Sequence, residues 1–94
     1  MASANVTLPG SQGKLFEADA TSRLATLLVS GGRVTNTARN NRTAWINEGG
    51  GTAAADDGVS VPIGPGASHQ LDITCQSFGF MAVGGAEFLL YTRG

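Results

Sequence analysis

The sequence predicts an all-β domain: an antiparallel β-sandwich, jelly-roll-like in style. Three observations predict it. Apolar residues recur in period two along most of the chain after residue 30. Clusters of Gly, Pro, Asn and Asp interrupt these runs roughly every eight to twelve residues. No stretch carries helical spacing over a convincing length. The 94 residues make one domain. We place the sandwich at residues 14–94 and an extended N-terminal arm at residues 1–13.

Residues 18–28 (ADATSRLATLL) are the one stretch compatible with a helix, weakened by Thr and Ser. Residues 33–37 (RVTNT) and 43–47 (TAWIN) read as strands, and the polar turn at residues 39–41 predicts a hairpin between them. In residues 59–63 (VSVPI), alternation directs Val59, Val61 and Ile63 to the core. Pro62 then points outward and has no N–H to offer, which places the strand at an edge. Gly64-Pro65-Gly66 is a turn, since proline presets φ and glycine accepts positive φ. Residues 69–75 (HQLDITC) read as a strand with Leu71, Ile73 and Cys75 on one face. Residues 78–83 and 86–92 flank Gly84-Gly85, which predicts a tight turn between antiparallel neighbours.

Composition excludes several functions. Hydrophobic residues are 41% and charged residues only 14%, against a usual quarter, so the surface is poor in charge. Net charge is −1, and Arg33, Arg39 and Arg42 flank a polar turn rather than forming the dense basic patch that nucleic acid requires. Cys75 and His69 are each the sole residue of their kind, which rules out an intrachain disulfide and a multi-ligand zinc site. The polar start, MASANVTLPGSQGK, has no apolar signal-peptide core, and no apolar run approaches the roughly 20 residues of a membrane helix. A soluble protein made in a cytoplasm is expected. The triplets Asn5-Val6-Thr7 and Asn41-Arg42-Thr43 then carry no glycosylation weight.

Site chemistry is equally bounded. Gly49-Gly50-Gly51 follows a strand, but no helix follows it, so it lacks the N-terminus that a phosphate loop requires. Glu48, Asp56 and Asp57 lack the spacing of a calcium loop. Gly49 to Gly58 therefore reads as a flexible or Ω-like connection. Ser68, His69 and Asp72 do not build a triad, because alternation sends His69 away from both Ser68 and Asp72. Cys75 reads as a buried, inert thiol. No catalytic residue, cofactor or metal is expected. Trp45, with Tyr91, is the candidate for stacking on a sugar ring.

The last strand is the most informative. Phe88-Leu89-Leu90-Tyr91 is apolar on both faces, whereas a half-exposed strand alternates. A second cover is needed, and another subunit supplies it. The expectation is a homo-oligomer with either Leu89 and Tyr91 or Phe88 and Leu90 at the contact.

The succession RVTNT, AWINEGG, DGV, VPIGPGAS and LDI, spread over residues 33–73, resembles small β-sandwich virion proteins of tailed bacteriophages. These are short head or decoration proteins and fibre-attached domains. The likeness is one of strand-and-turn style over roughly residues 24–92. It implies a non-enzymatic capsid decoration, or cement, protein located in the virion. It also implies a homotrimer and binding to the major capsid protein or other virion subunits. On that reading the arm, with Val6 and Leu8, and the loop, with Gly50, Thr52 and Asp56, are the expected capsid contacts. The alternatives are a tail or fibre component and a small carbohydrate-binding module.

Overall fold

A computed structural model describes residues 5–8 and 13–91. Those residues form nine strands: β1 (Val6–Leu8), β2 (Gly13–Ala18), β3 (Arg23–Leu27), β4 (Gly32–Asn36), β5 (Ala44–Glu48), β6 (Val61–Ile63), β7 (Ser68–Leu71), β8 (Ser77–Met81) and β9 (Ala86–Tyr91). A five-stranded sheet runs β1-β3-β8-β5-β6, and a four-stranded sheet runs β2-β9-β4-β7. The antiparallel pairs are nested: β2 with β9, β3 with β8, β4 with β7, and β5 with β6. The chain thus behaves as one long hairpin, rolled so that its outer and inner pairs fall in different sheets. Bonds from β9 to β4 and from β8 to β5 close each sheet. This is the jelly-roll order, extended by β1, which lies parallel to β3.

Rolling explains where local reading of the sequence went astray. Residues 33–37 and 43–47 are not a hairpin, because β4 and β5 lie in different sheets. For the same reason β8 and β9 are not neighbours, and the Gly84-Gly85 turn carries the chain from one sheet to the other. Residues 18–28 are not helical. They include β3, where Ala25 and Leu27 are buried and Leu24 and Thr26 face out, a period of two. The strand predicted at residues 69–75 ends at Leu71, and a turn closed by the Cys75 N–H on the Asp72 carbonyl (2.9 Å) follows. That turn throws Ile73 outward, 60% exposed, and returns Cys75 to the core. Val59 is likewise in the loop before β6 and exposed, while Ile63 is buried. Pro62 does sit on an edge strand, and Pro65-Gly66 does turn the chain, with Gly66 at φ 80° and the Ala67 N–H on the Gly64 carbonyl at 2.9 Å.

The predicted arm needs correction where it can be seen. Val6–Leu8 is a sheet strand, Leu8 is fully buried, and Val6 packs against the core. Residues 1–4 and 9–12 of the arm lie outside the described residues, as does Thr92 of the predicted last strand.

Four phenylalanines tie the sheets together. Phe16 and Phe88 come from the four-stranded sheet and Phe78 and Phe80 from the five-stranded one, with ring centroids 5.1–6.2 Å apart. Truncating one such ring costs about 3–5 kcal/mol. Buried Asn36 on β4 adds a polar clasp: its amide donates to the Ile63 carbonyl on β6 (3.0 Å) and the Arg42 carbonyl (2.7 Å), and its oxygen accepts the Ala38 N–H (3.0 Å). A buried amide with all three partners stabilises one register of sheet on sheet.

Candidate functional site

A jelly roll has two outer faces, and here they differ. On the five-stranded sheet, the loop between β5 and β6 folds back over the sheet. Gly49 and Gly50 turn it with φ near 85° and 82°. Asn47 then donates to the Thr52 carbonyl (3.0 Å), and Ser22 Oγ accepts the Ala53 N–H (2.9 Å). The Gly51 carbonyl rests on Gly79 of β8 so closely that any Cβ at Gly79 would collide with it. Ala53 is buried as a result. Further along, the Asp57 carboxylate accepts the N–H groups of Val59 (2.9 Å) and Ser60 (2.6 Å) and the Ser60 hydroxyl (3.0 Å). The Ser60 and Val59 N–H bonds hold the Asp57 carboxyl below its ordinary range. The triple glycine therefore serves turning and close approach. The loop is pinned rather than loose, and Gly50, Thr52 and Asp56 remain exposed on it.

Trp45 lies on this same outer face, half-buried, directly between Pro62 and Met81 of the flanking strands. The burial of Ala44 and Ile46 within the sandwich resolves its direction, since these are the core residues of β5.

Among the described residues, no loop covers the outer face of the four-stranded sheet. In β9, Phe88 and Leu90 are fully buried, so of the two predicted contact pairs only Leu89 and Tyr91 face outward. Register extends the face in rows. Gly13, Tyr91, Arg33 and Gln70 form one row, Leu15, Leu89, Thr35 and Ser68 the next, and Glu17 pairs with Glu87 below. Leu15 is 56% exposed and Tyr91 49%. The Tyr91 ring occupies the space above Gly13, and the Arg33 guanidinium lies over that ring at 5.9 Å from its centroid. At the acidic end, Glu87 accepts from Arg39 (2.9 Å) and Thr37 (2.9 Å), and both bonds hold its carboxyl below the ordinary range. Neither Glu17 nor Arg33 joins an ion pair among the described residues. Leu15 and Glu17 were missed in the sequence, although the Leu15-Phe16 step carries the same both-faces-apolar signal as the last strand.

A third place joins the two sheets at one side. Glu48, at the end of β5, accepts the Asp72 N–H (2.8 Å) and faces His69 of β7 at 3.5 Å. Glu48 borders a groove of about 480 Å³ that Asp72, Cys75 and Ser77 also line. In it, Asp72 takes both bonds from Thr74, and the Cys75 thiol donates to the Ser77 carbonyl (3.3 Å); Ser68, outside the groove, is bonded to Thr35 (2.7 Å). Burial pushes the Cys75 thiol up, and Glu48 beside it adds to that, which disfavours a thiolate nucleophile. Ser68, His69 and Asp72 are thus not brought together.

Comparison with protein-family models, with curated proteins and with solved structures returned no match. A jelly roll hosts many unrelated functions, so the function of this one must lie in its faces.

Proposed function

We propose that this chain is a non-enzymatic virion structural protein that decorates, or cements, a phage head, and that it works as a homo-oligomer. One observation carries the reading: a sheet face with Leu15, Leu89 and Tyr91 outward lies opposite a sheet whose centre the chain's own loop covers. A small chain with 14% charged residues gains by hiding that face against another subunit. The pinned loop, presenting Gly50, Thr52 and Asp56, is the surface assigned to the shell. Repetition over a lattice would multiply a modest single contact. Val6 and Leu8 are withdrawn from this role, since both pack into the sandwich.

The test is to purify particles from the culture that carries this gene, quantify the chain by mass spectrometry, and locate it by immunogold labelling. Many copies distributed over the head support the reading. Label confined to the tail or fibres moves the protein to that part of the virion, and absence from particles refutes it.

A further inference from the structure

We infer that the open face of the four-stranded sheet stacks on the same face of a second copy, about a twofold axis through Leu89. The inference deepens the self-association reading above and rests on it. Arg33 and Glu17 stand diagonally on either side of Leu89. Arg33 is one strand to one side and level with Tyr91; Glu17 is one strand to the other side and level with Glu87. A twofold rotation that lays this face on its copy, with Leu89 at the axis, carries each Arg33 over the other copy's Glu17. The same rotation sets Leu15 of each copy against the Leu89–Tyr91 stretch of the other. The strands of the two sheets then cross steeply, toward the orthogonal class of sheet packing.

Two features of the single chain point to this occupant. Glu17 and Glu87 are directly opposed across β2 and β9, an arrangement that destabilises a sheet by like-charge repulsion. Arg39 relieves Glu87, but nothing among the described residues relieves Glu17. At the other end, Arg33 has only the Tyr91 ring among the described residues. Among those residues, the face therefore carries one unspent anion and one unspent cation, placed so that its own copy satisfies both. An isologous contact of this kind is self-complementary and closes at two copies. The threefold assembly that the resemblance implies would need another surface.

The face is small. Four strands about 4.8 Å apart, each with about five residues of about 3.3 Å, give roughly 300 Å² in projection, against about 800 Å² per partner in a standard interface. The pairing is therefore weak in dilute solution and is strengthened by array on a surface.

The experiment is sedimentation equilibrium of the full chain up to about 1 mM, at low and high salt. A concentration-dependent dimer is expected. Glu17→Arg and Arg33→Glu should each weaken it about tenfold or more, and the double variant, with charges exchanged, should recover the dimer. Circular dichroism checks that each variant folds. As an independent readout, Leu89→Cys in a Cys75→Ala background should form an intermolecular disulfide on mild oxidation, because residue 89 meets itself at the axis. A monomer at every concentration, a charge exchange that fails to restore association, or no cross-link at Leu89→Cys would each overturn the inference. Single-charge variants that still coat heads as monomers would remove this contact and leave the virion reading standing. A dimer that never appears on particles would do the reverse.

Discussion

The two outer faces of this sandwich meet the same problem in opposite ways. The five-stranded sheet carries Gly79 at its centre, and the absence of a side chain there lets the Gly51 carbonyl settle on it and the loop cover the face from within the chain. Among the described residues, no loop crosses the four-stranded sheet, and it keeps Leu15, Leu89 and Tyr91 outward. One face is partly covered by the chain's own loop, while the other keeps an apolar row outward. The comparison teaches that an apolar outer row is informative only after the chain's own loops have been placed.

The largest effect expected from breaking this contrast is at Gly79. Gly79→Ala drives a Cβ into the Gly51 carbonyl, a backbone atom that cannot rotate away. It should cost about 2 kcal/mol and lower Tm by roughly 10 °C in thermal unfolding. It should also lift the loop, read as faster proteolysis between residues 49 and 60. A wild-type melting curve and cleavage rate would show that the loop is not held as described.

An intermediate effect is expected from acid. The Asp57 carboxyl titrates below its unfolded value because the Ser60 and Val59 N–H groups bind its charged form. The stability it contributes is therefore fully present above the ordinary carboxylate range of about 4 and is lost as pH falls through the lowered value. Amide exchange at Val59 and Ser60 should lose protection as pH falls below about 4 while the core strands keep theirs. Asp57→Asn should remove most of that pH dependence. On the open face Glu87 obeys the same sign, held low by Arg39 and Thr37, so acid loosens one tether on each face.

The smallest effect on folding belongs to the open face. Leu15→Thr changes a side chain that is more than half exposed, on a β-rich edge strand, and should leave unfolding free energy within about 0.5 kcal/mol of wild type. Self-association should nonetheless fall measurably in sedimentation. A loss of several kcal/mol in stability would mean that the face is core rather than interface.

Legibility in the sequence follows the range of the interactions. Alternation is local, so the β class, the edge placement of Pro62 and the turn at Pro65-Gly66 can be read from neighbours along the chain; Cys75 is buried, but by the turn after Leu71 rather than by the alternation that predicted it. The direction of Trp45 could not, because both faces of its strand carry apolar residues and only the partner strands decide which is inside. The Asp72 turn hid in an apolar-polar alternation that looked like more strand, since one Asp side chain capping Thr74 was enough to end it.

By itself the sequence determined that the chain forms strands rather than helices, that it is poor in charge, and that its last strand is apolar on both faces. Period-two patterning and composition need no partner to be expressed. Only the tertiary structure decided which strands pair, that Leu89 and Tyr91 rather than Phe88 and Leu90 face out, and that Leu15, Glu17 and Arg33 share that face. The reason is that the rolled hairpin joins residues far apart in the chain, as in Gly13 with Tyr91 and Arg33 with Tyr91. No local pattern encodes a neighbour that arrives from the other end of the molecule.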